Sequence, residues 1–389
     1  MELTPLQSVS LSEDVYNLSK LSTIDAAITY LNSSYNGKIS FYEENLLKGK
    51  TGGPGVIKVR TAFGFLLVGK GEYKNYAFIL FRGTQYLADW LTNLNISLSR
   101  SASGQAVHDG FNKAFHSMLP QIQTFVSALP SGTEIHCLGH SLGGALATIA
   151  AEWVSKNTIH KPRLYTYGSP RVGLIGFSEN CTSLLKEENI FRVYHRTDIV
   201  PCIPIWPFMH TPSSGREYFL PSPGLVPWSK YHDMRHYNDS VGKKSWSQIY
   251  AMRPPKRTDS GIETWLKSKS IIGPTISSIE WLNDAIIYVL KKCFEFAGRL
   301  IDLTASTYFT LMDRLAYILR KGIELSEKVS GWVLLLMQKI AQFLGMRKLI
   351  ETADITREFM RQLLLKLSAR VNEISKQALS RTLADGRAI

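Results

Sequence analysis

Residues 139–143 read Gly139-His140-Ser141-Leu142-Gly143, between an apolar run from Glu134 to Gly139 and a small-residue run from Ala145 to Ala151. The first run predicts a strand and the second a helix. A serine on a strand-to-helix turn is held in a strained backbone, with its hydroxyl exposed at the edge of a sheet. Gly139 and Gly143 remove side chains that would clash there, and the helix N-terminus turns its free N–H groups toward the same spot. The chemistry implied is a nucleophile beside an anion site. The five-residue pattern is common by chance; the strand before it and the helix after it give it meaning. The bland alternative is a tight glycine turn with a capping serine.

A serine hydroxyl is a poor nucleophile until a base takes its proton, and the base needs a carboxylate to orient it. Where the nucleophile sits on such a turn, the acid and then the histidine follow in chain order. Between Ser141 and Tyr231 the sole aspartate is Asp198, in His195-Arg196-Thr197-Asp198-Ile199-Val200-Pro201, just past a strand-like run. A carboxylate at the C-terminal end of a sheet strand lies on the side where the serine turn is. Asp198 is therefore the candidate acid, against the alternative of a turn aspartate ahead of Pro201. Three histidines follow it: His210, His232 and His236. Position alone leaves the base open between His232 and His236, which a helix would place on one face.

The elements that must position these groups alternate. Residues 11–34 read as helical, 56–82 as strand-rich and 111–129 as helical. Short strands are predicted at Arg163–Gly168 and Ile190–His195. Strands alternating with helices predict an α/β fold with a mainly parallel sheet covered on both faces. Proline-rich stretches near 221–230 and 251–257 place a domain boundary at about residue 252, giving a catalytic domain at 1–252 and a second domain at 253–389. The second reads all-α, with helices at 279–296, 300–319, 323–344 and 355–378 and apolar positions recurring at three and four.

The chain of 389 residues carries a formal charge of +13, more than half of it beyond residue 250. Such a balance favours anionic partners such as phospholipid head groups, although it also serves plain solubility, and no nucleic-acid motif accompanies it. Cys137, Cys181, Cys202 and Cys293 show no paired spacing, which argues against a disulfide framework and a zinc site and for a reducing compartment. The chemistry needs no metal or organic cofactor. Neither a basic-then-apolar leader nor an apolar run long enough to span a bilayer is read, so synthesis in the cytoplasm and, if the protein is exported, a signal-independent route are expected.

Four blocks in order resemble the class 3 (fungal-type) lipase family of α/β-hydrolases: Phe81-Arg82-Gly83-Thr84 with Asp89-Trp90, Val107-His108-Asp109-Gly110-Phe111, Gly139 through Ala145, and Tyr167 through Gly173 followed by Asp198-Ile199-Val200-Pro201. The resemblance covers roughly residues 55 to 245. It implies Ser141 as nucleophile, Asp198 as acid and His232 as base. His232-Asp233-Met234-Arg235-His236-Tyr237 fits the segment in which the family's base stands, which leaves His236 as the alternative. It implies an oxyanion hole from Thr84 and the Leu142 N–H, while a strand-end hydroxyl capping the next helix is the plain reading of Thr84. It puts Tyr86 to Leu94 in the place of a lid, with Tyr86, Leu87, Trp90, Leu91 and Leu94 its candidate apolar residues. A fixed helix braced by Asp89 fits that stretch equally.

The activity implied is hydrolysis of carboxylic esters of lipids. A phospholipase A of the A1 type is preferred over a triacylglycerol lipase because of the basic balance and the amphipathic tail. The tail reads as a domain packed on the catalytic core, as a membrane-docking or pore-like element, or as a docking surface for a partner or secretion apparatus. A lipase-like domain joined to such a tail is also similar to antibacterial lipase effectors, which would imply an immunity protein as partner. The rivals from other classes are a catalytically silent binding scaffold and a protein whose tail perturbs membranes without hydrolysis.

Overall fold

The structure, a computed structural model, describes residues 2–21, 23–40, 46–51, 59–83, 97–270, 272–297, 311–346, 350–351 and 354–384. Its centre is an eight-stranded sheet with the path β1 (Ile39–Ser40), β3 (Val59–Gly69), β4 (Tyr76–Phe81), β7 (Glu134–His140), β8 (Lys161–Tyr167), β9 (Ile190–His195) and β10 (Tyr218–Leu220); β2 (Leu46–Thr51) pairs off the path with β3. From β4 to β10 every pairing is parallel, whereas β1, β2 and β4 each meet β3 antiparallel. β5 (Leu98–Arg100) and β6 (Ala106–His108) form a separate hairpin. The sheet is thus mainly parallel and covered by helices on both faces, as the alternation of strands and helices predicts.

Alternation along the strands sends side chains to two apolar layers. On β4, Ala77, Ile79 and Phe81 join one core while Phe78 and Leu80 join the other. The first layer lies under α3 (Asp109–Ser127), α4 (Leu142–Asn157) and α5 (Ile175–Leu185). The second lies under α1 (Pro5–Leu18), α2 (Ile24–Tyr35), α6 (Met234–Val241) and α7 (Trp246–Ala251). The single N-terminal helix anticipated at 11–34 is two, because Thr23 accepts from the Ala26 N–H and starts a new helix.

The remainder is α8 (Asp259–Lys267), α9 (Ile276–Ala297), α10 (Leu311–Leu325), α11 (Glu327–Phe343) and α12 (Arg357–Ala384). The one helix anticipated at 323–344 is broken at Ser326, whose side chain caps α11 through the Val329 N–H. Residues 300–310 of the anticipated 300–319 helix lie outside the described residues. The apolar stripes face inward: Leu282, Ile286, Val289, Leu290 and Cys293 of α9 are all buried. They join one continuous core that also holds Ile199, Val200 and Ile203, just beyond Asp198. No helix among the described residues is long and apolar enough to cross a membrane.

Candidate active site

β7 ends at His140 and α4 begins at Leu142, so Ser141 occupies the whole turn between them, with φ 58° and ψ −130°. Positive φ is costly for a residue with a Cβ, and such strain is retained where a side chain must be presented. A Cβ at Gly139 would run into the Gly143 carbonyl, and one at Gly143 into the Phe81 carbonyl, so the turn admits no side chain at either position. As the first residue of α4, Leu142 has a backbone N–H with no intrahelical acceptor.

Asp198 follows β9 and His232 lies in a short 3-10 turn at Ser229–His232. The structure brings them to Ser141 in one row. His232 Nε2 is 2.9 Å from Ser141 Oγ, and His232 Nδ1 is 3.0 and 2.9 Å from the two Asp198 carboxylate oxygens. All three residues are buried. Asp198 Oδ1 also accepts from the Val200 N–H and Oδ2 from the Tyr237 hydroxyl, so each carboxylate oxygen has a second donor. Nδ1–H facing a carboxylate leaves Nε2 free to accept the serine proton. The row can therefore generate a serine nucleophile and stabilise the imidazolium that results.

The alternative base, His236, does not join the row. Asp233 caps α6 through the Arg235 N–H, so the helix begins after His232 and carries His236 away. His236 Nδ1 lies 3.7 Å from Asp239 on the same helix. Thr84 and the lid candidates Tyr86, Leu87, Trp90, Leu91 and Leu94 lie outside the described residues, as does Asp89. The chain is described as far as Gly83, whose Cα stands so close to Ser141 that an added Cβ would come within 3.0 Å of the serine Cβ.

Several residues that hold this row were not singled out for it by the sequence. His140 Nδ1 accepts from the Tyr16 hydroxyl at 2.6 Å and Nε2–H donates to the His232 carbonyl at 2.7 Å. The Tyr16 oxygen in turn accepts from the Gly83 N–H at 3.0 Å. One continuous chain of hydrogen bonds thus ties α1 to Gly83 and to the backbone of His232. Burial, helped by the neighbouring His232, pushes the His140 pKa down to about 3, so it works as a neutral ring. His195, at the end of β9, donates from Nδ1 to the Tyr231 carbonyl and accepts at Nε2 from Ser240; burial lowers its pKa to about 4.

Arg171 comes from the fourth motif block. It is buried, and its Nη1 donates to the Cys202 and Pro204 carbonyls and to Asn283 Oδ1 on α9. Asn283 Oδ1 also accepts from the Trp206 N–H. The helical region is thereby fastened to the segment that follows Asp198, and α12 packs on the turn carrying His232. His140 and Arg171 sit inside the motif blocks and could have been found there; Tyr16 and Asn283 carry no local signal. All four cysteines are buried free thiols. Among the described residues no group of three or more His, Cys, Asp or Glu is placed to hold a metal ion.

Comparison with known proteins matches residues 78–208 to the family model described as lipase (class 3). A secreted mono- and diacylglycerol lipase of Fusarium solani is 36% identical over 146 residues, covering 36% of this chain and 42% of the relative. Phospholipase A1-II 1 of Oryza sativa is 28% identical over 221 residues, 48% of this chain and 54% of the relative. Toxin TseL of Vibrio cholerae is 37% identical over 106 residues, 26% of this chain and 16% of the toxin. The chain spans about half or less of the length of these relatives.

Proposed function

We propose, from the premise that residues 78–208 belong to the class 3 lipase family, that the chain is a serine hydrolase of lipid carboxylic esters, with Ser141 as nucleophile, His232 as base and Asp198 as the acid that orients it. The observation that carries this reading is the buried row Asp198–His232–Ser141, with 2.9 Å between His232 Nε2 and Ser141 Oγ, on a turn whose positive φ presents the serine. Ser141 Oγ attacks the acyl carbonyl while His232 Nε2 takes its proton. The alcohol leaves with that proton, and water activated by the same nitrogen releases the carboxylic acid. The tetrahedral oxyanion is received by the Leu142 N–H and by Thr84. Losing one such donor costs about 3–4 kcal/mol of transition-state stabilisation.

The preferred substrate is a membrane phospholipid cleaved in the manner of a phospholipase A1. The net charge of +13 supports an anionic lipid surface, and one of the relatives bears the name phospholipase A1. Mass-spectrometric analysis of products from phosphatidylethanolamine/phosphatidylglycerol vesicles and from triolein emulsion, with Ser141→Ala beside the intact chain, tests it. Fatty acid and lysophospholipid lost in the variant support the phospholipid reading. Release from triolein alone turns it to a neutral-lipid lipase, and no Ser141-dependent product from either overturns it.

A second reading, favoured by the likeness to Toxin TseL, makes this hydrolase an antibacterial effector with an immunity protein as partner. Export of the chain to a bacterial periplasm then kills the host cell and export of Ser141→Ala does not; harmless export of the intact chain overturns it.

A further inference from the structure

The amphipathic stripes of α9 to α12 are spent on the internal core, so a membrane contact must be sought elsewhere. Large apolar side chains exposed to solvent are few among the described residues, and three fall within four positions: Leu225, Val226 and Trp228 are 56%, 60% and 48% exposed. They stand at the tip of the 222–228 loop, four residues before the catalytic base.

This tip is hydrogen-bonded from below. Thr197, next to Asp198, clasps both ends of the loop. Its N–H donates to Ser222 Oγ at 2.9 Å, its hydroxyl pairs with the same Ser222 oxygen, and its carbonyl accepts from the Trp228 N–H at 3.1 Å. In the middle of the loop the Leu225 carbonyl accepts from the Ile276 N–H at the start of α9. Ser222 and Ser229, flanking the tip, are buried. A loop anchored through the Leu225 carbonyl and the Trp228 N–H, with its apolar side chains turned outward, is built for presentation.

The surroundings favour a lipid surface. Lys230 Nζ lies 5.5 Å from the centre of the Trp228 ring, and exposed Arg196 shares a cleft of about 310 Å³ with Gly224 and Leu225. Aliphatic residues that can enter acyl chains, a tryptophan suited to the head-group level and cations beside them form the composition of an interfacial anchor. The loop also lies at the C-terminal end of the parallel strands, where β7 delivers Ser141 and β9 delivers Asp198.

We propose that the 222–228 loop inserts Leu225, Val226 and Trp228 into an anionic phospholipid bilayer and so sets the catalytic end of the sheet against its substrate. This rests on the lipid-ester reading of the site. Binding is therefore measured in a chain that cannot hydrolyse the vesicles, separately from activity. The Ser141→Ala protein is sedimented with phosphatidylethanolamine/phosphatidylglycerol vesicles and with phosphatidylcholine vesicles, beside the same protein carrying Leu225→Ser and Val226→Ser. The parent binds the anionic vesicles more tightly, and the loop variant loses about tenfold or more in affinity. Circular dichroism and the melting temperature establish that the variant is folded. As a second measurement, brominated phospholipid quenches the fluorescence of the Ser141→Ala protein, and Trp228→Phe in that background removes the larger part of the quenching. Equal vesicle binding by parent and loop variant overturns the proposal. So does a parent that binds no vesicles, which would leave the tip to a protein partner. Fatty acid released by the intact chain from detergent-dispersed phospholipid reports on the hydrolytic reading alone, whichever way vesicle binding falls.

Discussion

The Tyr237 hydroxyl donates to Asp198 Oδ2 at 2.6 Å while its oxygen accepts from the His195 N–H at 3.2 Å. A residue from the first helix after His232 thus holds Asp198 against the strand that delivers it. Burial, reinforced by the Asp198 charge, holds the phenol well above its ordinary pKa, so the hydroxyl stays a donor at any working pH.

Tyr237→Phe removes that donor without changing the ring. An unmet hydrogen bond to a buried carboxylate costs about 1–3 kcal/mol. The expected outcome is kcat lower by about tenfold with KM little changed, since the hydroxyl acts on the acid and not on the lipid. Steady-state kinetics on a dispersed ester checks it; an unchanged kcat contradicts the positioning role.

Tyr16→Phe breaks the chain that links α1, the Gly83 N–H and His140 Nδ1. It leaves a buried donor and a buried acceptor unmet, so about 1–3 kcal/mol of stability is lost. Activity falls further than Tm alone explains, because Gly83 precedes the proposed oxyanion residue Thr84. Paired denaturant melts and kinetics measure both effects.

Gly168 has φ +54° and lies where a Cβ would come 2.5 Å from Asp198 Oδ2 and 3.1 Å from His232 Nδ1. Gly168→Ala therefore pushes Asp198 away from His232 as well as straining the backbone. Activity is expected to drop by at least about a hundredfold, in keeping with the cost of a misplacement of about 1 Å. Activity within twofold of the parent would contradict the geometry.

The buried histidines contribute to the loss of stability at acid pH. Burial lowers the pKa of His136 and His140 to about 3 and of His108 and His195 to about 4, against about 6.5 in an unfolded chain. Between those values the unfolded state binds more protons, so stability rises with pH. Their contribution is complete above about pH 7 and is lost as pH falls toward 4. His136 stacks between Phe78 and Tyr165, and neither ring nitrogen has a hydrogen-bond partner among the described residues. His136→Phe should flatten the fall of Tm between pH 7 and pH 4.5; an unaltered slope contradicts this assignment.

The nucleophile turn was legible because its signal is local: strand, glycine, serine, glycine and helix are adjacent in the chain. Asp198 was chosen because it is the sole aspartate between Ser141 and Tyr231 and lies just past a strand-like run. The choice between His232 and His236 was open by position because both were set on one helix, whereas Asp233 caps that helix and leaves His232 outside it. What supports the row was hidden by distance along the chain: Tyr16 and His140 are 124 residues apart, and Arg171 and Asn283 are 112 apart. The helical tail was readable as amphipathic, but periodicity cannot say what a stripe covers, and here it covers the core beside the segment after Asp198.

The most direct test of the account is labelling of the native chain with a fluorophosphonate and mapping of the adduct by peptide mass. One adduct is expected, on Ser141, with labelling slowed by about a thousandfold or more in His232→Ala, in keeping with the cost of losing a triad member, and little slowed in His236→Ala. No adduct on Ser141, or labelling indifferent to His232, would contradict it.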